Sequence, residues 1–161
     1  MGMTIKLMET DEEKKGKAYV HWKSWHEAYK DIVKTDYLDK LSLEKCEDIA
    51  VKFADNTFVA VDEEKRVVGF SSFCNHGQEA PDEGEVTAIY VLSEYYGTGV
   101  GKELMDAALE QLKEYPKQEI RVFRDNARAI KFYEKYGFNK SGEEEYLEGL
   151  GAAVIKMVRN I

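Results

Sequence analysis

The chain has 161 residues, which is the usual size of one domain and leaves no room for a second full core. Hydrophobic residues make up 43% of it and charged residues 34%, a composition that excludes a disordered chain and favours a folded, soluble one. The net charge of −8 argues against a polyanionic or anionic-membrane partner, so we expect no nucleic-acid binding and no membrane binding.

The first third of the chain predicts one strand and two helices. Alternating apolar and polar residues indicate a short strand over residues 4–8. Asp11 suits the N-cap of a long helix whose apolar residues recur every three or four positions, at Ala18, Trp22, Trp25, Tyr29 and Ile32. Ser42 opens a second helix, which ends at residues 55–56.

The middle of the chain predicts a β-hairpin followed by a strand. Residues 57–61 and 67–74 are rich in β-forming residues and are joined by a polar turn, which is typical of two antiparallel strands. We expect a loop over residues 75–84. Residues 85–92 predict a third strand, which leads directly into a cluster of glycines.

The last third alternates between helix and strand and then ends in two strands. Pro116 is expected to end the first of these helices, and Asn126 and Gly137 are expected to cap the second at its two ends. The predicted elements are a helix over 100–115, a strand over 119–124, a helix through 135, and paired strands over 138–147 and 151–158. Hairpins mixed with crossovers imply an α/β fold with a mixed sheet covered by helices.

The glycine cluster over residues 97–101 lies between a predicted strand and a predicted helix. Backbone N–H groups of such a turn can surround an anion, and the helix dipole favours negative charge, so the position is typical of a phosphate site. A dinucleotide fingerprint would need glycine where the chain has Lys102, and a Walker A loop would need glycine at Tyr96 and a hydroxyl at Glu103. The structural alternative is that the glycines only form a tight turn and a close helix contact.

Two segments of the chain carry a family pattern. Residues 86–104, VTAIYVLSEYYGTGVGKEL, and residues 126–138, NARAIKFYEKYGF, resemble the acetyl-CoA-binding core of bacterial members of the GNAT superfamily of N-acetyltransferases. The resemblance implies a single domain over residues 1–161, with a mixed, mostly antiparallel twisted sheet flanked by about four helices. One position departs from the family pattern, because Tyr96 stands where the family usually has Arg or Gln.

The same resemblance implies acetyl-CoA as co-substrate and no metal. A strand around residues 89–91 is expected to splay from its neighbour, which leaves backbone groups that the pantetheine arm can satisfy. Asn126 matches the family's cofactor-side asparagine, although a plain N-cap role would be sufficient. The implied cofactor-binding residues are Ile89, Tyr90, Val91, Tyr96, Gly97, Thr98, Gly99, Val100, Gly101, Lys102, Asn126 and Ala129.

Two side chains are candidates for the chemistry. Transfer of an acetyl group from a thioester to an amine needs a base for the ammonium proton and an acid for the departing thiolate. The resemblance implies Glu85 as the base, with Asp82 and Glu83 as alternatives and a solvated strand start as the structural interpretation. It implies Tyr133 as the acid, whereas core packing is the structural interpretation of that tyrosine.

The implied activity is direct attack of a primary amine on acetyl-CoA in a ternary complex. Trp25 and Tyr29 are expected to border the acceptor, although packing of the first helix on the sheet would also explain them. The competing hypothesis is a non-catalytic acyl-CoA-binding regulatory module. Glu85 and Tyr133 together favour the enzyme, because a binding module needs neither.

The charge distribution bears on the acceptor, a small-molecule or peptide amine. Residues 1–95 carry 12 Lys and Arg against 20 Asp and Glu, whereas residues 96–161 carry 11 of each. An acidic acceptor side favours a cationic amine such as a polyamine, and the alternative is that the surplus acid only aids solubility. Basic residues available for the cofactor phosphates are Lys102, Arg124, Arg128, Lys131 and Lys135.

The cysteines and histidines show no pattern of their own. Cys46 and Cys74 are the only cysteines, and neither stands in a disulfide or metal-ligand spacing. The three histidines show no metal-ligand spacing either. Residues 1–9 lack the features of a signal peptide, so we expect a cytoplasmic protein, and a homodimer is left open.

Overall fold

The computed structural model describes residues 2–161, and within them seven strands form a single sheet. The strands are β1 (Thr4–Leu7), β2 (Thr57–Val61), β3 (Val67–His76), β4 (Ala80–Val91), β5 (Lys117–Phe123), β6 (Asn139–Leu147) and β7 (Ala152–Asn160). Their spatial order is β1-β2-β3-β4-β5-β7-β6, and every neighbouring pair is antiparallel except β4 and β5. The predicted mixed, mostly antiparallel sheet is confirmed.

Helices cover both faces of this sheet. They are α1 (Asp11–Ala28), α2 (Thr35–Lys40), α3 (Leu43–Lys52), α4 (Val100–Gln111) and α5 (Ala127–Lys135). Neighbouring residues of a strand point to opposite faces. On β3, Phe70 contacts Lys17 and His21 of α1, whereas a Cβ at Gly69 would meet Leu104 of α4. The helices α1 and α4 therefore lie on opposite faces.

Helix α4 lies unusually close to the sheet at Gly69. A Cβ at this position would lie 2.9 Å from Leu104 Cδ1 and 2.9 Å from the carbonyl oxygen of Tyr90. Two residues further along β3, the buried Ser71 hydroxyl donates a hydrogen bond of 2.9 Å to the carbonyl of Leu104. The helix is thereby fixed against β3 and β4 at the centre of the molecule.

The helices of the first third differ from their predictions at three points, and the first is that α1 ends at Ala28, short of the predicted helical positions Tyr29 and Ile32. Thr10, not Asp11, caps α1, because its hydroxyl accepts from the N–H of Glu13 at 3.1 Å while the Glu13 carboxylate accepts from the N–H of Thr10. The helix α2 was not predicted, because its six residues span less than two turns and only Leu38 is buried. Ser42 caps α3 as predicted. None of the helices in residues 2–161 is long and apolar enough to cross a membrane.

The predicted loop over residues 75–84 is wrong. The strand β3 continues to His76, a short 3₁₀ turn spans Gly77–Glu79, and β4 begins at Ala80. Turn-forming residues in this stretch indicated a loop, but they lie in a hairpin whose two arms extend beyond the core. This extension brings His76 alongside the side chains of β4.

The last third follows its prediction closely. The Asn126 side chain accepts from the N–H of Ala129 at 3.2 Å and caps α5, and Gly137 closes the helix with φ of +92°. The strands β6 and β7 pair as expected. The helix α4 ends at Gln111, earlier than predicted, and the Gln118 side chain donates to the carbonyl of Leu112 just beyond it.

Candidate active site

The parallel strands β4 and β5 separate along their length. They pair from Glu83 with Lys117 to Val86 with Ile120, and the rest of each strand lies beyond this paired stretch. On its other side β4 stays paired with β3 as far as Val91. The splay expected around residues 89–91 is therefore seen, and it leaves backbone polar groups on one edge of β4 that require a partner.

A cleft of about 440 Å³ opens at this gap. Most of the implied cofactor-binding residues line it: Ile89, Tyr90, Val91, Tyr96, Gly97, Gly99, Gly101, Lys102, Asn126 and Ala129. Two others support the loop from outside the lining. The Thr98 hydroxyl donates to the carbonyl of Tyr95 at 2.6 Å, and Val100 is buried in the core. Sequence reasoning missed Ser24, Ala28, Tyr95 and Phe132, which complete the wall.

The glycine loop forms the end of the cleft where α4 begins. Gly97 and Gly99 have φ of +75° and +94°, a backbone conformation that side chains with a Cβ disfavour. Gly99 is the N-cap of α4, so the first N–H groups of that helix are free of helical partners. A Cβ built on Gly99 would meet nothing within 4 Å, so backbone conformation and not crowding explains the glycine. The loop has the geometry of an anion site.

Basic side chains surround this end of the cleft. Lys102, Arg128, Lys131 and Lys135 all line it. The Arg128 guanidinium stacks on Tyr96, with its central carbon 3.6 Å from the ring centroid. Tyr96, which departs from the family pattern, thus holds a cation supplied by α5. Arg124 points elsewhere and pairs with Glu144 at 3.0 Å.

Tyr133 lies where the cleft meets a second, smaller cavity. The smaller cavity measures about 30 Å³ and is lined by residues that include Thr87 and Arg121. Five residues line both cavities: Tyr29, Ile89, Tyr90, Asn126 and Tyr133. Tyr133 is 7% exposed, and burial raises the pKa of its phenol, so the hydroxyl keeps its proton at neutral pH.

Trp25 of α1, Tyr29 at the C-terminal end of α1 and Tyr90 of β4 form a hydrogen-bonded aromatic cluster on the α1 face of the sheet. The Trp25 indole N–H donates to the Tyr90 hydroxyl at 3.1 Å, and the Tyr29 hydroxyl donates to the same oxygen at 3.3 Å. Tyr29 also packs edge-on against Phe123 of β5, with ring centroids 4.7 Å apart. Of the two predicted acceptor residues, Tyr29 lines both cavities, whereas Trp25 lies outside their lining and holds Tyr90.

Glu85 lies outside the lining of both cavities, on the α1 face of the sheet. In the register of β3 and β4, Glu85 pairs with Cys74 and Tyr90 pairs with Phe70. Cys74 and Phe70 are four residues apart on β3 and therefore point to the same face of the sheet. Their partners Glu85 and Tyr90 share that face, which α1 covers. Its Oε1 lies 3.0 Å from His76 Nε2.

His76 joins several carboxylates into what we call the acidic network, formed by His76, Glu83, Glu85, Glu119 and Lys156. His76 Nε2 lies 3.5 Å from Glu119 Oε1, and its Nδ1 lies 3.6 Å from Glu83 Oε1. The hydrogen bond with Glu85 is the main cause that raises the pKa of His76. These residues come from four strands and are up to 80 positions apart in sequence, so no local pattern could reveal them.

The acidic network contains its own cations. The carboxylate of Glu119 is 1% exposed, and its Oε2 lies 2.9 Å from Lys156 Nζ, which also contacts Glu143 at 3.2 Å. Donor atoms of Cys74, His76 and Glu85 lie within 4.8 Å of one another. Lys156 supplies positive charge next to Glu119, and the neighbouring carboxylates raise the pKa of His76, so the arrangement is that of an ion-pair network. That the protein needs no metal stays a prediction.

Comparisons with known proteins agree with this geometry. A model of the acetyltransferase (GNAT) family matches residues 20–138. The uncharacterised N-acetyltransferase YuaI of Bacillus subtilis (strain 168) is 34% identical over 140 residues, which cover 84% of this chain and 80% of YuaI. Spermine/spermidine N(1)-acetyltransferase of the same strain is 30% identical over 60 residues, covering 35% of this chain and 40% of that protein.

A solved structure shows the same fold. The PaiA N-acetyltransferase from Thermoplasma acidophilum, crystallised in complex with coenzyme A, superposes with a TM-score of 0.75 at 22% identity. The superposition covers 100% of both chains.

The glycine loop gives a direct test of cofactor placement. We expect Gly99→Val to abolish coenzyme A binding, measured by calorimetry, because a β-branched side chain resists φ of +94° and would project into the cleft. Gly142→Val is the matched control, since Gly142 has the same φ of +94° and open space around it but lies on β6 outside the cleft. Intact binding by folded Gly99→Val would contradict the placement.

Proposed function

This chain belongs to the GNAT family of acetyltransferases, and from that membership we propose that it acetylates a primary amine by direct attack on acetyl-CoA in a ternary complex. The observation that carries the proposal is the gap between β4 and β5, where the cleft and the smaller cavity meet at Tyr133. A thioester held in the cleft and an amine group that reaches the smaller cavity would come together at that tyrosine.

The cleft accounts for the pyrophosphate and the pantetheine arm of acetyl-CoA. The pyrophosphate would lie against the glycine loop and the start of α4, with Lys102, Arg128, Lys131 and Lys135 near the phosphates. The amide-rich pantetheine arm would satisfy the unpaired backbone of Ile89–Val91 on the open edge of β4. This placement directs the thioester towards the gap.

Acetyl transfer then needs proton movements at the amine nitrogen and at the sulfur. The neutral amine nitrogen attacks the thioester carbon, the carbon–sulfur bond breaks, and the electron pair leaves with the coenzyme A sulfur. The nitrogen, positively charged after the attack, releases one proton to water as the amide forms. Tyr133 would donate its phenolic proton to that thiolate, a role for which the buried hydroxyl at the meeting of the two cavities is suited. The phenolate regains a proton from solvent when coenzyme A leaves.

Glu85 would remove the proton of the acceptor ammonium. Its carboxylate is 17% exposed and lies on the same sheet face as Tyr29 and Tyr90, but outside the lining of the cavities. The proton would therefore pass through water between the amine and Glu85. An alkylamine is almost wholly protonated at neutral pH, so a base at this position raises the reactive fraction.

A cationic acceptor is the class that this surface favours. Glu83, Glu85 and Glu119 lie on the two strands that flank the gap, and with Glu143 of β6 these carboxylates outnumber their basic partners, which are His76, Lys117 and Lys156. Negative charge of this kind raises the local concentration of cations. The partial similarity to a spermine/spermidine acetyltransferase is consistent with a polyamine-like acceptor.

Replacing Tyr133 tests whether its hydroxyl protonates the departing thiolate. We expect Tyr133→Phe to lower kcat by on the order of 10²-fold with little change in acetyl-CoA affinity, because only the departing thiolate needs the hydroxyl. Steady-state kinetics and calorimetry measure the two quantities. Tyr146→Phe, at an exposed tyrosine on β6, is the control. Wild-type turnover by Tyr133→Phe, with chemistry rate-limiting, would assign Tyr133 to the core alone.

The proposed base is tested by its pH dependence. We expect Glu85→Gln to lower kcat/KM at neutral pH by about 10²-fold and to move the rate towards higher pH, where the amine loses its proton unaided. Asp82→Asn, at an exposed position on the same strand, is expected to keep the wild-type profile. A pH–rate profile of Glu85→Gln that matches the wild type would remove Glu85 from the mechanism.

The acceptor class is tested by salt. We expect kcat/KM for a polyamine to fall as ionic strength rises, because salt screens exposed charges over a Debye length of roughly 8 Å at physiological strength. An uncharged hydroxylamine-type or arylamine acceptor measured in the same buffers serves as the comparison. Preference for an acceptor without positive charge, or a polyamine rate that salt leaves unchanged, would refute the proposal.

A further inference from the structure

His76 occupies a position that the proposed mechanism has not used. The hairpin of β3 and β4 extends far enough to place this imidazole beside Glu85, with Nε2 and Oε1 3.0 Å apart. Among the described side chains, His76 is the group that the carboxylate of Glu85 contacts within hydrogen-bond distance. The contact joins residues nine positions apart through the register of two antiparallel strands.

We infer that His76 is the positioning residue of Glu85. Its Nε2–H donates to Oε1, which holds the carboxylate in one orientation and leaves Oε2 to receive the acceptor's proton. The inference rests on the proposed role of Glu85 as the base. It adds a residue that acts through Glu85 and does not itself touch a substrate.

The surroundings of Glu85 explain why such a partner is needed. Glu83 lies two residues away on β4, and Glu119 is the register partner of Glu85 on β5, so three carboxylates share a small area. Neighbouring negative charges repel a carboxylate, whereas a hydrogen bond donated to the carboxylate stabilises its charge. Without His76, Glu85 would lose the contact that offsets this repulsion.

The other groups around Glu85 do not replace His76. On β7, Lys156 is engaged with Glu119 and with Glu143 of β6, at 2.9 and 3.2 Å. On β5, Lys117 lies 3.9 Å from Glu83. On β3, burial raises the pKa of the Cys74 thiol, which therefore stays neutral. The hydrogen bond from His76 is thus the stabilising contact that Glu85 itself receives.

Two variants of His76 separate positioning from structure. We expect His76→Leu, which removes the donor, to lower kcat at neutral pH about tenfold and to move the acidic limb of the kcat/KM profile up by about one pH unit, with an unchanged KM for acetyl-CoA. His76→Gln, which keeps a donor of similar reach, should restore most of kcat. His26→Gln is the control, since His26 contacts the carbonyl of Leu41 far from the network.

The outcomes distinguish this inference from the mechanism on which it rests. If Glu85→Gln alters the pH profile and His76→Leu does not, Glu85 remains the base and the positioning role of His76 is overturned. If Glu85→Gln itself keeps the wild-type profile, the base assignment fails and the inference falls with it. Loss of kcat in both His76→Leu and His76→Gln, with no shift of the acidic limb, would also overturn the inference.

A titration of His76 by NMR tests the contact without an activity assay. The chain has three histidines, and burial lowers the pKa of His21 to about 4, so that resonance is easily told apart. We expect His76 to titrate above its usual range in the wild type and lower in Glu85→Gln, with His76→Gln used for assignment. An equal His76 pKa in both proteins would overturn the pairing even if the leucine variant fails to fold.

Discussion

The separation of β4 from β5 is the constraint on which the rest of the site depends. The pairing of β4 with β5 ends at Val86. A β-bulge lies at the same place, where β4 has one extra residue relative to the consecutive residues Ser72 and Phe73 of β3. Beyond that point the rings of Tyr29 and Phe123 pack edge to face on the α1 face of the sheet, and Tyr133 of α5 lies on the opposite face. Both α4 and α5 begin after these diverging strands, so their N-termini meet at the cleft, as is common at the carboxyl ends of parallel strands.

The gap also divides the molecule by charge. Lysines and an arginine line the cleft at the glycine loop, whereas carboxylates lie on the α1 face of the flanking strands. A polyanionic cofactor and a cationic amine would therefore each meet complementary charge on its own side of the sheet. In the proposed function the acidic network would have two roles, since its charge would attract a cationic acceptor and one of its members would take the acceptor's proton.

Sequence patterns predicted the lining of the cleft far better than they predicted the acidic network. The loop at residues 97–101 and the cap at Asn126 are local signals, because each depends on neighbours within a few positions, and both lie where expected. The pairing of His76 with Glu85 and Glu119 depends on strand register and on a hairpin mistaken for a loop. Tyr96 was recognised only as a departure, and its stacking on Arg128 needed the position of α5.

The absence of a side chain at Gly69 has a consequence for how the cleft meets its ligand. With Leu104 and the carbonyl oxygen of Tyr90 both 2.9 Å from where a Cβ would be, α4 packs directly against β3 and β4 beside the cleft. A groove that is ordered before its ligand arrives loses little conformational entropy on binding. We expect this packing to set the shape of the cleft during folding, so that little of it has to be ordered when acetyl-CoA binds.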